Sequence, residues 1–361
     1  MSADTIEQRF ESGPNALNFL RLCLALQVLL WHAYALRGDS WLPARLESFL
    51  ADVAVDSFFA ISGFLICRAW LRRPALMPFL RARAVRILPG LWVCLVTTAF
   101  VIVPVAAWLS GTESPTWDGR WHYVVANAGV WVGDWGIDGG PAGVAHPGAW
   151  NGSLWSLGYE VGCYLVIATL GFCRILRARV VAGLAITFWV MSAQLTLAGF
   201  SASGQAYCVV PRCGLMFAAG GFLWLHRDRV PVSRFLIVAS VLAVAAGVAC
   251  LPNYRLVAAP AIGYLCVVFA MRLGETRRLV LRHDLSYGVY VYGFVVQQSL
   301  LVCGADVGWL PFAVISMACV APFAAASWLL VEQPALAHLS RGRNATASPR
   351  PVGMNPANVA P

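Results

Sequence analysis

Long apolar runs separated by short polar segments alternate along most of the chain. An α-helix needs roughly 20 apolar residues to cross the hydrocarbon core of a bilayer, and ten runs reach that length. They cover residues 16–36, 50–71, 86–109, 151–173, 180–200, 206–226, 234–251, 254–272, 284–303 and 310–331. The pattern therefore predicts an all-α integral membrane protein, a bundle of about ten transmembrane helices.

The polar segments divide the chain into three parts. Residues 1–14 form a polar N-terminal segment, and residues 15–335 form the transmembrane domain, whose longest loop covers about 110–150. Residues 336–361 are polar and rich in Pro, a composition typical of a disordered tail. We see no second soluble domain, no internal repeat and no nucleotide-binding glycine loop in the sequence.

The basic residues indicate how the helices are oriented. The chain has a net charge of +9, and all 26 of its basic residues are Arg. Twenty-one of them fall on the side that carries both termini, and one, Arg212, lies within a predicted helix. The other side receives Arg37, Arg45, Arg120 and Arg255. By the positive-inside rule both termini are cytoplasmic. The positive charge thus reflects topology, and we expect no nucleic-acid partner.

The cysteines do not indicate a metal or redox site. The chain has 11 Cys, in or at the ends of apolar runs, and no Cys-x-x-Cys pair. Such residues usually pack as small hydrophobic side chains. We therefore predict no metal ion and no permanently bound cofactor.

Three predicted helices each carry a titratable side chain in the half of the membrane away from the termini. His32, Asp56 and Glu160 stand at comparable depths on these helices. An ionisable group is costly in hydrocarbon, so the three together predict a shared polar cavity. A carboxylate beside His32 would orient the ring and favour its protonated form, which suits a general base near neutral pH. Arg212 could pair with Asp56 or Glu160, or bind an anionic substrate group.

Arginines are concentrated at the cytoplasmic ends of two helices. Arg83 and Arg86 are three residues apart and share a face, and such guanidiniums suit phosphate groups. Anionic lipid head groups would produce the same pattern. Arg21 and His32 lie eleven residues apart on the first helix, a separation of about 16 Å along its axis. Alone, Arg21 could also be a boundary arginine whose head group reaches the interface.

The longest loop is rich in Trp, Gly and Asp. It contains "WDGRWHYVV" and "WVGDWGIDGGPAGVAHPGAWNG". This content suits contact with polar rings such as sugars, and it equally suits interfacial Trp residues that anchor a surface loop.

Six stretches occur in the order found in one membrane-protein family. They are "NFLRLCLALQVLLWH", "VDSFFAISGFLI", "FLRARAVRILPGLW", "LWSLGYEVGCYL", "DLSYGVYVYGF" and "LLVEQPAL". In these stretches the chain resembles the family called acyltransferase 3, whose members acylate sugars and other acceptors at bacterial surfaces. The resemblance spans residues 15 to 335.

The resemblance implies roles for several residues. The family's Arg-x10-His pattern matches Arg21 and His32, and the His is regarded as catalytic. Its Arg-x-x-Arg pattern matches Arg83 and Arg86 and is associated with binding the acyl-coenzyme A donor. Many relatives have a His after "SYGVYVY", where this chain has Gly293.

A further family motif, Trp-Ser-Leu-x-x-Glu, matches Trp155, Ser156, Leu157 and Glu160. Some relatives carry an additional hydrolase-like domain after the helices. Since this chain ends too soon for one, we expect the membrane part to act alone or with a separate partner.

These observations lead to one hypothesis of function. The chain would transfer an acyl group, most simply acetyl, from cytoplasmic acyl-CoA to a hydroxyl of a carbohydrate acceptor. The acceptor could be an exopolysaccharide, an O-antigen or a lipid-linked glycan at the outer side of the bacterial inner membrane. Besides these two substrates, membrane lipids are the expected partners.

The hypothesis divides the site residues into three groups. The expected catalytic group is His32, Glu160 and Asp56, the donor-binding group is Arg21, Arg83 and Arg86, and the acceptor-binding group is Trp155, Ser156 and Arg212. Direct attack by the acceptor and an acyl-histidine relay both remain open. The alternative is a proton-coupled transporter or flippase of a glycan or lipid intermediate, in which the buried titratable residues would relay protons.

Overall fold

The computed structural model describes residues 4–38, 41–200 and 206–345, and this part of the chain is helical with no β-strand. The helices are α1 Ile6–Ser12, α2 Leu17–Arg37, α3 Ala44–Arg72, α4 Leu76–Thr97, α5 Val103–Ser110, α6 Trp117–Asn127, α7 Trp155–Phe172, α8 Ala178–Leu197, α9 Ala206–Leu225, α10 Arg234–Cys250, α11 Arg255–Gly274, α12 Ser286–Val302, α13 Trp309–Ser327 and α14 Gln333–Ala345. Residues 336–345, assigned above to a disordered tail, continue α14, and residues 346–361 lie outside the described part.

Within the described residues, eight helical segments are long and apolar enough to cross a membrane. They are Leu17–Arg37, Ala44–Arg72, Leu76–Ser110, Gly152–Phe172, Ala178–Leu197, Tyr207–Leu225, Arg255–Gly274 and Trp309–Arg341. The chain is therefore a multi-pass membrane protein. Helices α10 and α12 stand at the other two predicted positions, but each has 17 residues. That length rises about 26 Å, less than a typical hydrocarbon core, so the count of ten spans stays a prediction.

Successive long helices run in opposite directions, which gives the bundle two distinct ends. The end that carries 73–75, 173–177, 226–233 and 275–285 is called the arginine end, and the end that carries 111–151, 251–254 and 303–308 is called the loop end. Helix α1 docks at the arginine end, where the Ile6 amide donates to the carbonyl of Val230 at 3.0 Å. At the loop end, Arg37 donates to the carbonyl of Val307 at 3.1 Å. The cytoplasmic position of the arginine end remains a prediction.

Two membrane helices contain a π-helical turn just before a proline. Thr98–Ile102 joins α4 to α5 and is followed by Pro104, while Trp328–Glu332 joins α13 to α14 and is followed by Pro334. Proline has no amide hydrogen and its ring clashes with the carbonyl four residues earlier, and a wider turn accommodates that clash. The second π turn leaves Glu332 buried at 2% exposure, so a carboxylate faces the interior of the bundle.

Helices α3 and α9 pack closely at the centre of the bundle. A Cβ on Gly63 would lie 1.9 Å from the carbonyl oxygen of Phe217, and one on Gly220 would lie 1.9 Å from that of Ala60. Small residues allow membrane helices to approach in this way. The contact holds the acidic residues of α3 against the arginine of α9.

The segment expected to be the longest loop contains a helix, α6. The Thr116 hydroxyl accepts the amide of Gly119 at 3.0 Å and caps this helix. The Asp138 carboxylate accepts the amide of Thr116 at 2.6 Å, and the Asn127 side chain accepts the amide of Gly133 at 3.1 Å. The helix was missed because 11 mainly polar and aromatic residues give no membrane-length apolar run.

Candidate active site

Two acidic and two basic side chains form a buried network near the loop end. Asp56 accepts from the Nε atoms of Arg212 at 2.9 Å and Arg255 at 2.6 Å. Asp52, one helical turn earlier, accepts from Arg212 Nη1 at 2.8 Å and Arg255 Nη2 at 2.6 Å. The Tyr254 hydroxyl also donates to Asp56. The charges balance, which is the condition for keeping charges in a low-dielectric interior.

The network decides between the partners considered for Arg212. This arginine pairs with Asp56, one of the two acids expected, and not with Glu160. In the part of the chain that the structure describes, no hydrogen bond or ion pair joins His32, Asp56 and Glu160 to one another, and each has partners of its own. Arg255, counted above as an external charge, is only 2% exposed and belongs to this network. These contacts indicate that Asp56 cross-links α3, α9 and α11.

A second set of ion pairs, partly buried, lies at the arginine end. The Asp284 carboxylate, just before α12, accepts from Arg21 Nη1 at 2.8 Å and also pairs with Arg86. Arg86 Nη1 is 3.2 Å from Glu332 Oε2, and Ser327 donates to the other oxygen of Glu332 at 2.9 Å. Two of the three arginines expected to bind the donor are thus already paired with carboxylates.

Arg83 differs from its two neighbours in this set. Its Nε is buried without a hydrogen-bond partner, and no ion pair of its guanidinium is found within residues 4–38, 41–200 and 206–345. A buried unpaired donor is costly. Arg83 is therefore the member of the expected donor-binding group with free capacity to bind an anion.

The Asp284 carboxylate lies in the connection before α12, outside the membrane-spanning helices. Burial raises its pKa, but the Arg21 and Arg86 guanidiniums outweigh burial and hold that pKa below its usual range. The group is therefore ionised at neutral pH and retains its hold on both arginines.

Glu160 lies deeper in the bundle, next to a narrow cavity of about 50 Å³. Its Oε1 accepts from the Ser62 hydroxyl at 2.7 Å and from the Tyr164 hydroxyl at 2.5 Å. The cavity is lined by Arg21, Val55, Phe58, Phe59, Ser156, Leu157, Glu160, Ser286, Tyr287 and Tyr290. It therefore connects the arginine-end ion pairs with the first turns of α7.

His32 is half-buried on α2 and contacts α12. Its ring packs edge-on against Phe294 with centroids 5.1 Å apart, and the ring of His146 packs against the same Phe294 at 5.8 Å. Gln298, on α12, donates to the carbonyls of His146 at 2.6 Å and Ala149 at 2.7 Å. These bonds hold the segment before α7 against α12, so two imidazoles flank one aromatic ring. His146 was not singled out in the sequence.

A large cavity of about 700 Å³ opens at the loop end. Its aromatic walls are Trp131, Trp135, Trp155 and Tyr159, and its charged or titratable walls are Asp52, His146 and Arg212. The Arg212 guanidinium lies 5.6 Å from the centre of the Trp155 ring. Aromatic faces with a few polar groups are suited to polar, ring-shaped ligands.

Four Trp residues of the 111–151 segment form two pairs, one that lines a cavity and one that anchors the segment. Trp131 and Trp135 line the large cavity. Trp117 and Trp121 instead pack on Phe100 of the π turn, with ring centroids 5.5 and 4.9 Å away. The second pair anchors α6 to the bundle.

The two cavities come close together at the first turn of α7. Trp155 lines the large cavity, and the next residue, Ser156, lines the narrow one, where its hydroxyl is 2.7 Å from that of Tyr290. Of the residues expected to contact the acceptor, Trp155 and Arg212 thus line the loop-end cavity. Ser156 faces the cavity that extends toward Arg21.

Comparison with known proteins identifies the family. The family model described as an acyltransferase domain, that of acyltransferase 3, matches residues 15–331. The chain belongs to the acyltransferase 3 family. It is 28% identical over 337 residues to the O-acetyl transferase of Shigella phage Sf6, covering 88% of this chain and 95% of that protein. It is 27% identical over 362 residues to nodulation protein 10 of Rhizobium leguminosarum bv. viciae, covering 89% and 93%. No solved structure matches.

The family match confirms the transferase expectation. The chain is an acyltransferase of the O-acetyltransferase kind, and the transporter alternative gains no support from these relatives. The roles assigned to individual residues stay predictions.

Sequence reasoning missed the acidic partners of the arginines, although signals for them were present. Asp284 begins the stretch "DLSYGVYVYGF" and Glu332 lies within "LLVEQPAL", each an acid at or inside an apolar run. Asp52 lies four residues before Asp56 and so shares its helix face. An acid at or inside an apolar run needs a basic partner, and the arginines on neighbouring predicted helices were available to pair with it.

The network around Asp56 predicts that its removal destabilises the fold. Asp56→Asn removes one of the two carboxylates that neutralise Arg212 and Arg255. Breaking a buried ion pair costs about 3–5 kcal/mol. We expect a lower thermal unfolding midpoint and lower membrane abundance for this variant. Asp228→Asn, which removes an exposed acid at the arginine end, should change neither.

Normal abundance and thermal stability of Asp56→Asn, combined with lost transfer, would contradict the cross-linking role and favour a direct role in catalysis.

Proposed function

We propose that the enzyme transfers an acyl group, most simply acetyl, from cytoplasmic acyl-CoA to a hydroxyl of a carbohydrate at the opposite face of a bacterial inner membrane. The observation that carries the proposal is the pair of cavities lined by two consecutive residues, Trp155 and Ser156. One is lined by the partly buried Arg21, and the other opens among aromatic side chains. A transferase whose two substrates approach from opposite ends requires such an arrangement.

The arginine end is suited to the phosphates of the donor. Arg83 has an unpartnered buried Nε, whereas Arg21 and Arg86 are held in place by Asp284 and Glu332. The carboxylates orient these two arginines, and Arg83 supplies the free charge for an incoming anion. The narrow cavity then leads from Arg21 toward Ser156 and Glu160. In this scheme it widens to admit the acyl-pantetheine arm.

The loop end is suited to a saccharide. Sugar rings present apolar faces that stack on Trp131, Trp135 or Trp155, and hydroxyls that bond with Asp52, His146 or Arg212. The cavity volume of about 700 Å³ accommodates a small oligosaccharide segment. The relatives' names indicate acetyl transfer by one of them and do not identify the acceptor of this chain.

The reaction is an exchange at the acyl carbonyl. The acceptor hydroxyl oxygen attacks the thioester carbon, a C–O bond forms and the C–S bond breaks. His32 takes the hydroxyl proton as general base, and the coenzyme A thiolate leaves and is then protonated. Glu160, held by Ser62 and Tyr164, positions the reacting groups from the α7 side.

The base role of His32 gives a direct test. His32→Ala should lower acetyl transfer about 10²- to 10⁴-fold at unchanged membrane abundance. His226→Ala, at the arginine end and outside both cavities, should leave the rate within experimental error of the parent. The assay measures labelled acetyl moved from acetyl-CoA to saccharide in isolated membranes, and full activity of His32→Ala would overturn the assignment.

The donor role of Arg83 predicts a change in KM. Loss of a charge-assisted contact worth about 1.5–3 kcal/mol should raise KM for acetyl-CoA roughly 10- to 100-fold in Arg83→Ala, with the acceptor preference unchanged. Arg81→Ala, which removes an exposed charge two residues away, is the matched control. Equal increases in the two variants would instead indicate a general effect of surface charge on anionic lipid or donor.

A further inference from the structure

An apolar cavity of about 340 Å³ lies between α7, α8 and α9. Gly162, Val166, Leu184, Phe188, Val210 and Phe217 are among its lining residues. Gly162 leaves it open, because a Cβ at this position would meet no heavy atom within 4 Å. None of the residues considered so far for donor binding or proton transfer lines this cavity.

The apolar cavity adjoins the loop-end cavity. Trp131 and Tyr159 line both, and their rings lie 5.2 Å apart. Trp131 is seated on Gly158, where a Cβ would come within 2.3 Å of the indole. One aromatic pair therefore forms the wall between a polar cavity and an apolar one, and a molecule with a polar head and an apolar chain could occupy both.

The apolar cavity also opens toward the lipid-facing surface of the bundle. Val166 is 46% exposed and Val210 is 43% exposed. Helix α8, which forms one wall, buries only 11% of the residues in its most apolar stretch. A hydrocarbon chain can thus enter from the bilayer between α7, α8 and α9. A free hydrophilic polysaccharide has no group that would fill such a cavity.

We infer that the acceptor is a lipid-linked saccharide whose sugar occupies the loop-end cavity while its hydrocarbon chain passes the Trp131–Tyr159 pair into the apolar cavity. This inference rests on the proposed function, because it requires the loop-end cavity to hold the acceptor. It further states that acylation occurs while the saccharide is still attached to its lipid.

The test fills the apolar cavity without touching the polar one. Gly162→Leu places a branched side chain in the open space, and Gly183→Leu is the control, since it lies on neighbouring α8, also meets no atom within 4 Å and does not line the cavity. Both variants would be compared with the parent in membranes of the source organism, given labelled acetyl-CoA. Membrane abundance and KM for acetyl-CoA would be measured alongside.

The labelled products would be separated into a lipid-extractable fraction and a water-soluble saccharide fraction. We expect the parent to label the lipid-extractable fraction first, with the label released into water by mild acid. Gly162→Leu should lower that labelling about tenfold, as expected for losing roughly two buried methylene groups of the chain. Gly183→Leu should lower it less than twofold. Gly162→Ala, a smaller addition that tests the same site if the Leu variant folds poorly, should give an intermediate loss.

Three outcomes separate the hypotheses. Label found from the start only in water-soluble saccharide would overturn the lipid-linked acceptor and leave the proposed function intact. If Gly162→Leu labels the lipid-extractable fraction as strongly as Gly183→Leu, the apolar cavity holds ordinary membrane lipid and the inference is also overturned. Absence of labelled saccharide with the parent enzyme would instead overturn the proposed function.

Discussion

The structure depends on keeping charges inside a largely apolar helical bundle, where an unpaired ionised side chain is strongly disfavoured. Carboxylates and arginines therefore meet in two sets. Near the loop end, Asp52 and Asp56 pair with two arginines and join α3, α9 and α11. At the arginine end, Asp284 and Glu332 pair with two others and join α2, α4 and the segments beside α12 and α14. Each set fixes helices that are distant in sequence.

The region between the two sets is where the chemistry is proposed to occur. Helix α7 enters it with Trp155 and Ser156 facing different cavities, and hydrogen bonds from Asn151 and Gln298 hold its start against α12. The same helix α12 supplies Phe294, which contacts His32. Helix α12 therefore contacts His32, holds the start of α7 and lines the narrow cavity. Arg86 is already oriented by two carboxylates, and under the proposed function this lowers the entropy lost when it binds the anionic donor.

The sequence predicts the membrane helices and the family, but it does not predict which buried side chains pair. Apolar run length and ordered motifs predict the membrane helices and the family, because both are local properties of the chain. Depth in the membrane was a weaker guide. His32, Asp56 and Glu160 stand at similar predicted depths, but depth does not specify which way a side chain points around its helix. Pairs such as Asp56 with Arg255, 199 residues apart, depend on helix packing that no periodicity encodes.

The central claim is that donor and acceptor approach from opposite faces and react inside the bundle. Sealed vesicles of each orientation, prepared from cells that make the enzyme and given labelled acetyl-CoA from outside, test it most directly. We expect inverted vesicles, which expose the arginine end, to label saccharide retained in their lumen, and right-side-out vesicles to do so only after permeabilisation. Equal labelling of saccharide by both intact preparations would contradict transfer across the membrane.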